Sequence, residues 1–401
     1  MKKFFLNLFI NLSIIITTLI IISVLLNWNL LFRINQSNFL FSKFDQNRMS
    51  YLQRVFFPDT YNNFTDDYAL YVGDSYAYSG GDSHLNGDYD YGIAHQYFNK
   101  SGTSVFNAAL PGNDSPKSVL HTLYLFNLIE NSFFLKGKIK SPKKIFFFFY
   151  EGNDIVHNAR PRYKNFSKIT QKCHDIDSKQ LSLKDLFFES NFYFLRFFYY
   201  NINHQLNLSV QKGNLVSLLK IILPRDVYMK LESKFGVKDI SPNKFNKIKF
   251  SNNTSHLTGF MQFPPTELND SEISLSFDVL DASLKCLNSK FKHIDKYFVY
   301  IPSPTIFYDY FDEKLILQSD FDDDRQFLQS SSELKNLSNI FELKANKVAL
   351  NNDLKIIDVR NNLLKLSKNQ LIHGSIDIHH FNKIGYHEVA NTLINFELKN
   401  N

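Results

Sequence analysis

The sequence of residues 68–75 is Tyr-Ala-Leu-Tyr-Val-Gly-Asp-Ser, and the rest of the chain is organised around this stretch. Five apolar or aromatic residues end abruptly at Gly73, Asp74 and Ser75. A short apolar run that is bounded by turn residues is typical of a buried strand. The stretch therefore predicts a strand at residues 68–72 that ends in a sharp turn, with Ser75 at the tip of the turn.

Four further segments have the composition of strands. They are Ser104–Ala108, Lys144–Tyr150, Lys296–Ile301 and Leu354–Val359. Residues 145–149 form a continuous apolar run, as expected of a strand that is covered on both faces. Residues 115–135 carry apolar side chains at helical spacing, with Pro116 suited to a first turn. Strands that alternate with helices predict an α/β protein, a three-layer α/β/α sandwich with a central parallel sheet of about five strands.

The amino-terminal end contains a long apolar run. Lys2 and Lys3 precede this run, and no charged residue follows until Arg33. About 20 apolar residues suffice to span a bilayer, and residues 4–32 exceed that length. The run has no small-residue cleavage site of the kind that ends a signal peptide. We therefore predict an uncleaved transmembrane anchor at residues 1–33.

The remaining chain is predicted to form a stalk at residues 34–66 and one α/β domain at residues 67–401. Within this domain, residues 155–269 are far too many for one crossover helix, which predicts a mostly helical insertion. The insertion either lies beside the active-site edge or only adds helices without a role in binding, and the sequence favours neither.

The side of the membrane on which the domain lies follows from the charges that flank the anchor. Positive charges are nearly balanced across the apolar run, but a short charged amino-terminal tail usually stays inside the cell. We therefore expect the domain outside the cytoplasmic membrane, in the periplasm or outside the cell.

The overall composition excludes one class of function and leaves one structural question open. The net charge of +6 is modest and the basic residues are scattered, so we do not expect nucleic-acid binding. The two cysteines, Cys173 and Cys286, have no neighbours at metal-binding spacing. They could form one disulfide in an oxidising compartment, but the sequence does not place them together.

Ser75 has two interpretations. In an open parallel sheet, ligands bind at the carboxyl ends of the strands, where Ser75 is predicted to lie. A serine becomes a nucleophile when a base takes its proton and donors stabilise the oxyanion. The Ser75 backbone N–H at the start of the next helix would be one such donor. Serine is also a preferred helix N-cap residue, and in isolation the motif favours that structural role.

Asp377 and His380 could supply the base. A spacing of three residues places both on one side of a turn, where the carboxylate can hold the imidazole Nδ1–H and leave Nε2 to accept the serine proton. The structural alternative is a helix-capping Asp377 with a surface histidine, and His379 is a competing base. The four histidines His373, His379, His380 and His387 lack the spacing of a known metal motif, so we expect no metal and no cofactor.

Gly112 and Asn153 follow the second and third predicted strands. A glycine lets the backbone approach a substrate with its N–H directed at the oxyanion, and an asparagine amide is a neutral second donor. The plain alternatives are a turn after Pro111 for Gly112 and a loop cap for Asn153.

In combination, these residues resemble the SGNH (GDSL-type) hydrolase family. The resemblance rests on the Gly-Asp-Ser turn, the glycine and asparagine after the next two strands, and the block Asp-x-x-His-Phe-Asn at residues 377–382. It implies a flavodoxin-like fold, with Ser75 as the nucleophile, His380 as the base and Asp377 as its orienting carboxylate. It also implies an oxyanion hole formed by the Ser75 amide, Gly112 and Asn153.

The resemblance covers residues 68–154 and 296–390, and the sequence departs from the family pattern at two positions. Tyr76 follows the serine where the family often has leucine. Gly152 directly precedes Asn153, where the family often has one residue between glycine and asparagine. The long insertion has no counterpart in the compact members.

The resemblance implies acyl transfer from an ester through an acyl-serine intermediate. With water as the acceptor the protein is an esterase, and with a sugar hydroxyl it is an O-acyltransferase. Membrane-tethered members commonly modify cell-surface polysaccharides, so the expected partner is an acylated polysaccharide or small molecule. A third hypothesis is a non-catalytic glycan-binding or assembly protein, which the intact set of site residues disfavours.

Overall fold

The computed structural model describes residues 67–82, 92–131, 140–178, 246–250, 254–257, 259–319, 321, 325–374 and 377–400, together with residues 11, 13, 14, 17 and 18. The predicted stalk, most of the predicted anchor and the middle of the predicted insertion lie outside the described residues. Over the described positions, no helix has both the length and the apolar content needed to cross a bilayer. The chain forms two compact units, and the described residues lie almost entirely in the one made of residues 59–129, 137–179 and 241–401.

The strands and helices of the described residues are numbered here in chain order. They are β1 (Tyr68–Val72), α1 (Ser75–Tyr78), α2 (Ile93–Ser101), β2 (Ser104–Asn107), α3 (Ser115–Asn131), β3 (Lys144–Tyr150), α4 (Glu151–Asn158), α5 (Ser167–Ser178), β4 (Lys247–Lys249), β5 (Thr254–His256), α6 (Asp270–Lys290), β6 (Asp295–Ile301), β7 (Asp309–Tyr310), β8 (Lys314–Gln318), β9 (Gln326–Ser330), α7 (Ser331–Asn351), β10 (Lys355–Ile357), α8 (Arg360–Ser367) and α9 (Lys383–Asn400). Short 3-10 turns lie at Pro161–Tyr163 and Pro304–Phe307.

Five strands form a parallel sheet in the order β10-β6-β3-β1-β2. In β1, Leu70 pairs with Phe106 of β2 on one side and with Ile145 of β3 on the other. The chain thus passes from β1 to one neighbour and then returns to the other. The loops that follow β1 and β3 flank the crevice where such sheets bind ligands. The predicted parallel sheet of five strands is confirmed, with strand boundaries within two residues of the predicted ones.

Helices cover both faces of the sheet. In β3 the side chains alternate, so that Phe146 and Phe148 contact Tyr71 at ring distances of 5.4 and 5.1 Å. On the opposite face Phe147 and Phe149 contact Phe298 at 6.1 and 5.9 Å. Helix α9 packs on α2, and α6 packs on α4, α5 and α7. Full burial of each phenylalanine contributes about 1.5–3 kcal/mol to folding. The prediction that this strand is covered on both faces is therefore confirmed.

The carboxyl-terminal end of the predicted insertion differs from the expectation of mostly helical structure. Its first described part is helical, in α4 and α5, but β4 pairs with β5 and with β7 in a three-stranded antiparallel sheet. Ile248 is buried in β4 between two lysines, so the strand alternates between core and surface as a half-buried strand does. Strands β8 and β9 form a hairpin after β6. This hairpin was also not predicted from the sequence.

The two cysteines form a disulfide. Cys173 lies in α5 and Cys286 in α6, both are buried, and their Cα atoms are 6.0 Å apart. The bond joins the start of the predicted insertion to a helix that lies beyond its end.

Candidate active site

Ser75 lies where the sequence predicts it, in the sharp turn after β1, as the first residue of α1. The cap of this helix is Asp74, whose Oδ1 accepts the Tyr76 backbone N–H at 2.9 Å. Burial raises the pKa of the Asp74 carboxyl, although the Tyr76 N–H and the nearby His380 act in the opposite direction. The alternative of Ser75 as the cap is therefore wrong, and the Ser75 hydroxyl does not serve to cap the helix.

The Ser75 hydroxyl instead contacts a histidine from the other end of the chain. His380 Nε2 lies 2.8 Å from Ser75 Oγ, and His380 Nδ1 lies 2.7 Å from Asp377 Oδ2. The side chains of Asp377 and His380 are each 21% exposed, so both are accessible from solvent. Burial alone would raise the pKa of Asp377, but the hydrogen bond and the charge of His380 outweigh it and hold this pKa below its usual value.

The alternatives for the Asp377–His380 block do not fit the structure. Helix α9 begins after Asn382, whose Oδ1 accepts the N–H groups of Ile384 and Gly385, so Asp377 does not cap this helix. The side chain of His379 is exposed, and the backbone carbonyl of that residue accepts a hydrogen bond from the Tyr76 hydroxyl. Within the described part of the chain, no three His, Cys, Asp or Glu side chains are grouped so as to hold a metal ion.

Asn153 lies in the first turn of α4, directly after β3. Its Nδ2 is 3.4 Å from Asp74 Oδ2 and 3.5 Å from the backbone oxygen of Asn113, which are long distances for hydrogen bonds. Asp74, which precedes Ser75, and Asn113, which follows Gly112, thus both lie near the Asn153 amide. Asn153 does not cap its own helix. At the start of this helix the Tyr150 N–H donates instead to Asp154 Oδ2, at 2.8 Å.

Gly112 lies in the exposed loop between β2 and α3. This loop is tied to the end of β1 because the Leu110 N–H donates to the Gly73 oxygen at 3.1 Å. Gly112 has φ of +73°, and a Cβ at this position would meet nothing within 4 Å. The glycine is therefore required by its backbone conformation and not by crowding within the protein.

The two departures from the family pattern meet at Tyr150. The Tyr150 ring packs against the Tyr76 ring in a tilted arrangement, with 4.2 Å between the ring centroids, and the Tyr150 hydroxyl donates to Gln262. A Cβ at residue 152 would lie 2.6 Å from the Tyr150 hydroxyl oxygen, so only glycine fits beneath this ring. Tyr76 and Gly152 thus both adjoin the Tyr150 side chain, beside the site.

A buried histidine supports the loop that carries Asp377 and His380. The Tyr308 hydroxyl oxygen accepts the N–H groups of Ile372 and His373, at 3.1 and 3.2 Å, so its hydrogen points to His373 Nδ1, which is 2.8 Å away. Burial lowers the pKa of His373 well below its usual 6.5, followed by repulsion from His380. From the sequence, His373 was a candidate only for metal binding, and nothing in its local sequence indicates Tyr308 as its partner.

Comparisons with known proteins add little to this geometry. No protein-family model and no curated protein sequence matches the chain. One solved structure with a partial likeness is LAE5, described as an alpha/beta hydrolase enzyme from the metagenome of Lake Arreo, Spain, with 8% identity, a TM-score of 0.33 and coverage of 83% of this chain and 97% of that one. Another is the acetyl xylan esterase AlAXEase, with 11% identity, a TM-score of 0.30 and coverage of 82% and 98%. Identity and TM-score are too low for either likeness to support an inference, and the function is inferred from the site residues.

The contribution of His373 to the stability of the domain should fall as the pH drops below about 6.5. Below this pH residue 373 is protonated in the unfolded chain but stays neutral in the folded chain, because the folded pKa is lowered. We expect this contribution to the free energy of unfolding in urea to be lower at pH 5.0 than at pH 7.5 by up to about 2 kcal/mol. The buried carboxyls of Asp74, Glu151 and Asp154, whose pKa values burial raises, act in the opposite direction.

The variant His373→Gln cannot titrate at this position, so lowering the pH from 7.5 to 5.0 should destabilise it less than it destabilises the wild type. His157, whose pKa burial lowers to about 4, contributes with the same sign and remains in that variant. An unchanged pH difference in His373→Gln would contradict the assignment to His373.

Proposed function

We propose that the protein is a serine-dependent acyl-ester hydrolase that works through an acyl-serine intermediate. The observation that carries this proposal is the continuous chain of short contacts from Ser75 Oγ to His380 Nε2, at 2.8 Å, and from His380 Nδ1 to Asp377, at 2.7 Å. This order of groups is the one that activates a serine: the carboxylate orients the ring and the ring accepts the proton.

The first half of the reaction forms the acyl-serine. Ser75 Oγ attacks the ester carbonyl carbon while His380 Nε2 accepts the hydroxyl proton. Asp377 holds Nδ1–H and stabilises the imidazolium that forms. The tetrahedral intermediate then expels the alcohol, which leaves with the proton from Nε2.

The second half releases the acid. Water donates a proton to His380 Nε2 and attacks the acyl carbon, and the collapse of this intermediate returns the proton to Ser75 Oγ. In both halves the negative charge develops on the former carbonyl oxygen. The Ser75 amide, the Gly112 amide and the Asn153 side chain are the proposed donors to it.

The SGNH resemblance and the predicted anchor support a substrate on the cell surface, an acylated polysaccharide or a smaller acyl ester. A sugar hydroxyl in place of water in the second half would make the protein an O-acyltransferase. Assays of the purified full-length protein with p-nitrophenyl acetate, with and without an acceptor glycan, separate these two outcomes. A folded protein without any acyl transfer would favour the non-catalytic hypothesis.

The serine and the histidine should each be required for turnover of p-nitrophenyl acetate. Loss of either in Ser75→Ala or His380→Ala should lower kcat by about 10⁴-fold or more, because neither group can be replaced by water. Asp377→Asn should have a smaller effect, since the role of the Asp377 carboxylate is to orient the His380 ring.

His379→Ala is the matched control and should retain activity, because the imidazole of His379 is exposed. Normal turnover in a folded Ser75→Ala protein would refute the nucleophile, and equal losses in the two histidine variants would refute the base.

The Asn153 amide should act mainly on the transition state. Removal of one oxyanion donor typically lowers turnover by about 10²–10³-fold, or about 2.7–4 kcal/mol. We expect Asn153→Ala to lower kcat by this amount with a much smaller change in KM. Kinetics and melting temperature measured on the same variant check this, since a destabilised but fully active enzyme would show that Asn153 is structural.

We also propose that the domain lies outside the cytoplasmic membrane, as its anchor and flanking charges predict. The disulfide between Cys173 and Cys286 supports this location, because disulfides persist in oxidising compartments. Protease added to intact spheroplasts should digest the domain, and in denaturant, which exposes the two buried cysteines, both should resist alkylation until a reductant is added. Full protection from protease together with freely alkylated cysteines would place the domain in the cytoplasm instead.

A further inference from the structure

The turn from Asp377 to His380 carries both the orienting carboxylate and the base. The loop around it is closed by backbone hydrogen bonds, from Gly374 N–H to the His380 oxygen at 3.0 Å and from Asn382 N–H to the Ile372 oxygen at 2.9 Å. These bonds fix the shape of the loop but do not fix its position relative to Ser75. Among the contacts that hold this position are those between the loop and the segment that follows Ser75, residues 76–82.

Asp82 contacts the first residue of the turn. Its Oδ1 accepts the backbone N–H of Asp377 at 2.6 Å. A Cβ at Gly374 would lie 2.3 Å from the same oxygen, so the loop approaches the carboxylate more closely than any residue but glycine allows. The contact needs an oxygen acceptor of this size and does not need its charge.

Tyr76 contacts the other end of the turn. Its hydroxyl donates to the backbone oxygen of His379, and its ring lies 5.2 Å from the His380 ring. The ring is fully buried, between Tyr150 at 4.2 Å and Phe381 at 5.0 Å. The hydroxyl is therefore held in place by the packing of its own ring.

We propose that Tyr76 and Asp82 are positioning residues that clamp the Asp377–His380 turn from its two ends and so set the distance from His380 to Ser75. The proposal rests on the proposed function, in which Ser75 is the nucleophile, His380 is the base and Asp377 orients the base. Tyr76 follows the nucleophile directly in α1, so the clamp ties the base to the same short helix that presents the serine. A displacement of about 1 Å at such a site costs roughly 10²-fold in rate.

Three substitutions separate the clamp from a general contribution to stability. Tyr76→Phe removes only the hydroxyl, Asp82→Ala removes the acceptor, and Asp82→Asn keeps an acceptor oxygen without the charge. With p-nitrophenyl acetate, we expect kcat to fall by about 10–10²-fold in Tyr76→Phe and Asp82→Ala, with KM unchanged, and to be close to wild type in Asp82→Asn.

Matched controls come from groups of the same kind far from the site. Tyr97→Phe removes another buried tyrosine hydroxyl, which donates to Glu397 at 2.6 Å. Asp358→Ala removes another carboxylate that accepts a backbone N–H, that of Arg360 at 2.9 Å. Both controls should keep the wild-type kcat. Equal losses in the controls, or a loss in Asp82→Asn as large as in Asp82→Ala, would overturn the clamp.

A double-mutant cycle tests whether Asp82 acts through the position of His380. If it does, Asp82→Ala should add no further loss of kcat to a protein that already carries His380→Ala. A purely structural role would instead lower kcat by the same factor in both backgrounds. Should Asp82→Ala fail to fold, Tyr76→Phe, which keeps the buried ring, tests the clamp in the same two backgrounds.

A spectroscopic measurement keeps this inference separate from the proposed function. The proton on His380 Nδ1, shared with Asp377, should give a low-field resonance in the proton NMR spectrum. It should stay sharp in Asp82→Asn and broaden in Tyr76→Phe and Asp82→Ala, because a turn that is no longer held against Ser75 lets this proton exchange with water. If these changes occur in a protein without esterase activity, the proposed function fails and the clamp stands. If the wild type is an esterase and all variants retain both the resonance and kcat, the clamp is overturned.

Discussion

The hydrogen bond between Ser75 Oγ and His380 Nε2 joins residues that are 305 positions apart, and much of the structure serves to make it. The serine is presented by a turn at the end of β1, a strand with hydrogen-bonded neighbours on both sides, so its position is fixed by the buried sheet. Asp74 caps the short helix that begins at Ser75, and the serine hydroxyl is left for the imidazole. The histidine has no such strand beneath it, and its loop depends on side chains from elsewhere in the chain.

Tyrosine hydroxyls provide much of that support. Tyr308 binds two backbone N–H groups at the start of the histidine loop, and Tyr76 binds the His379 carbonyl. Tyr386 at the start of α9 donates to the Gly80 oxygen at 2.6 Å and so ties the same two segments together. A tyrosine suits this task because its ring packs in the core while its hydroxyl reaches a backbone group. The aromatic residues, which make up 16% of the chain, therefore hold backbone groups in position as well as filling the core.

The sequence predicted the sheet well because each of its strands is an apolar run with turn residues at its ends. It indicated Ser75, Asp377 and His380, which the structure places together. It did not identify Asp74 as the helix cap and considered only Ser75 for that role, since aspartate and serine are both favoured cap residues. The strands at residues 247–256 were not predicted because three residues give too short a pattern, and β4 pairs with β7, which lies far along the chain. The contacts of Tyr76 and Asp82 join positions about 300 residues apart, and no local pattern marks such pairs.

The disulfide has a consequence for the integrity of the site. Cys173 and Cys286 are separated by 113 positions, and the segment between them lies after Ser75 and before Asp377. A nick by a protease anywhere in that segment would divide the chain into one fragment with Ser75 and another with Asp377 and His380. The sulfur–sulfur bond would keep these fragments as one covalent molecule, and the parallel sheet, to which both contribute strands, would keep them in register. The two parts of such a nicked chain would separate only when a reductant and a denaturant act together.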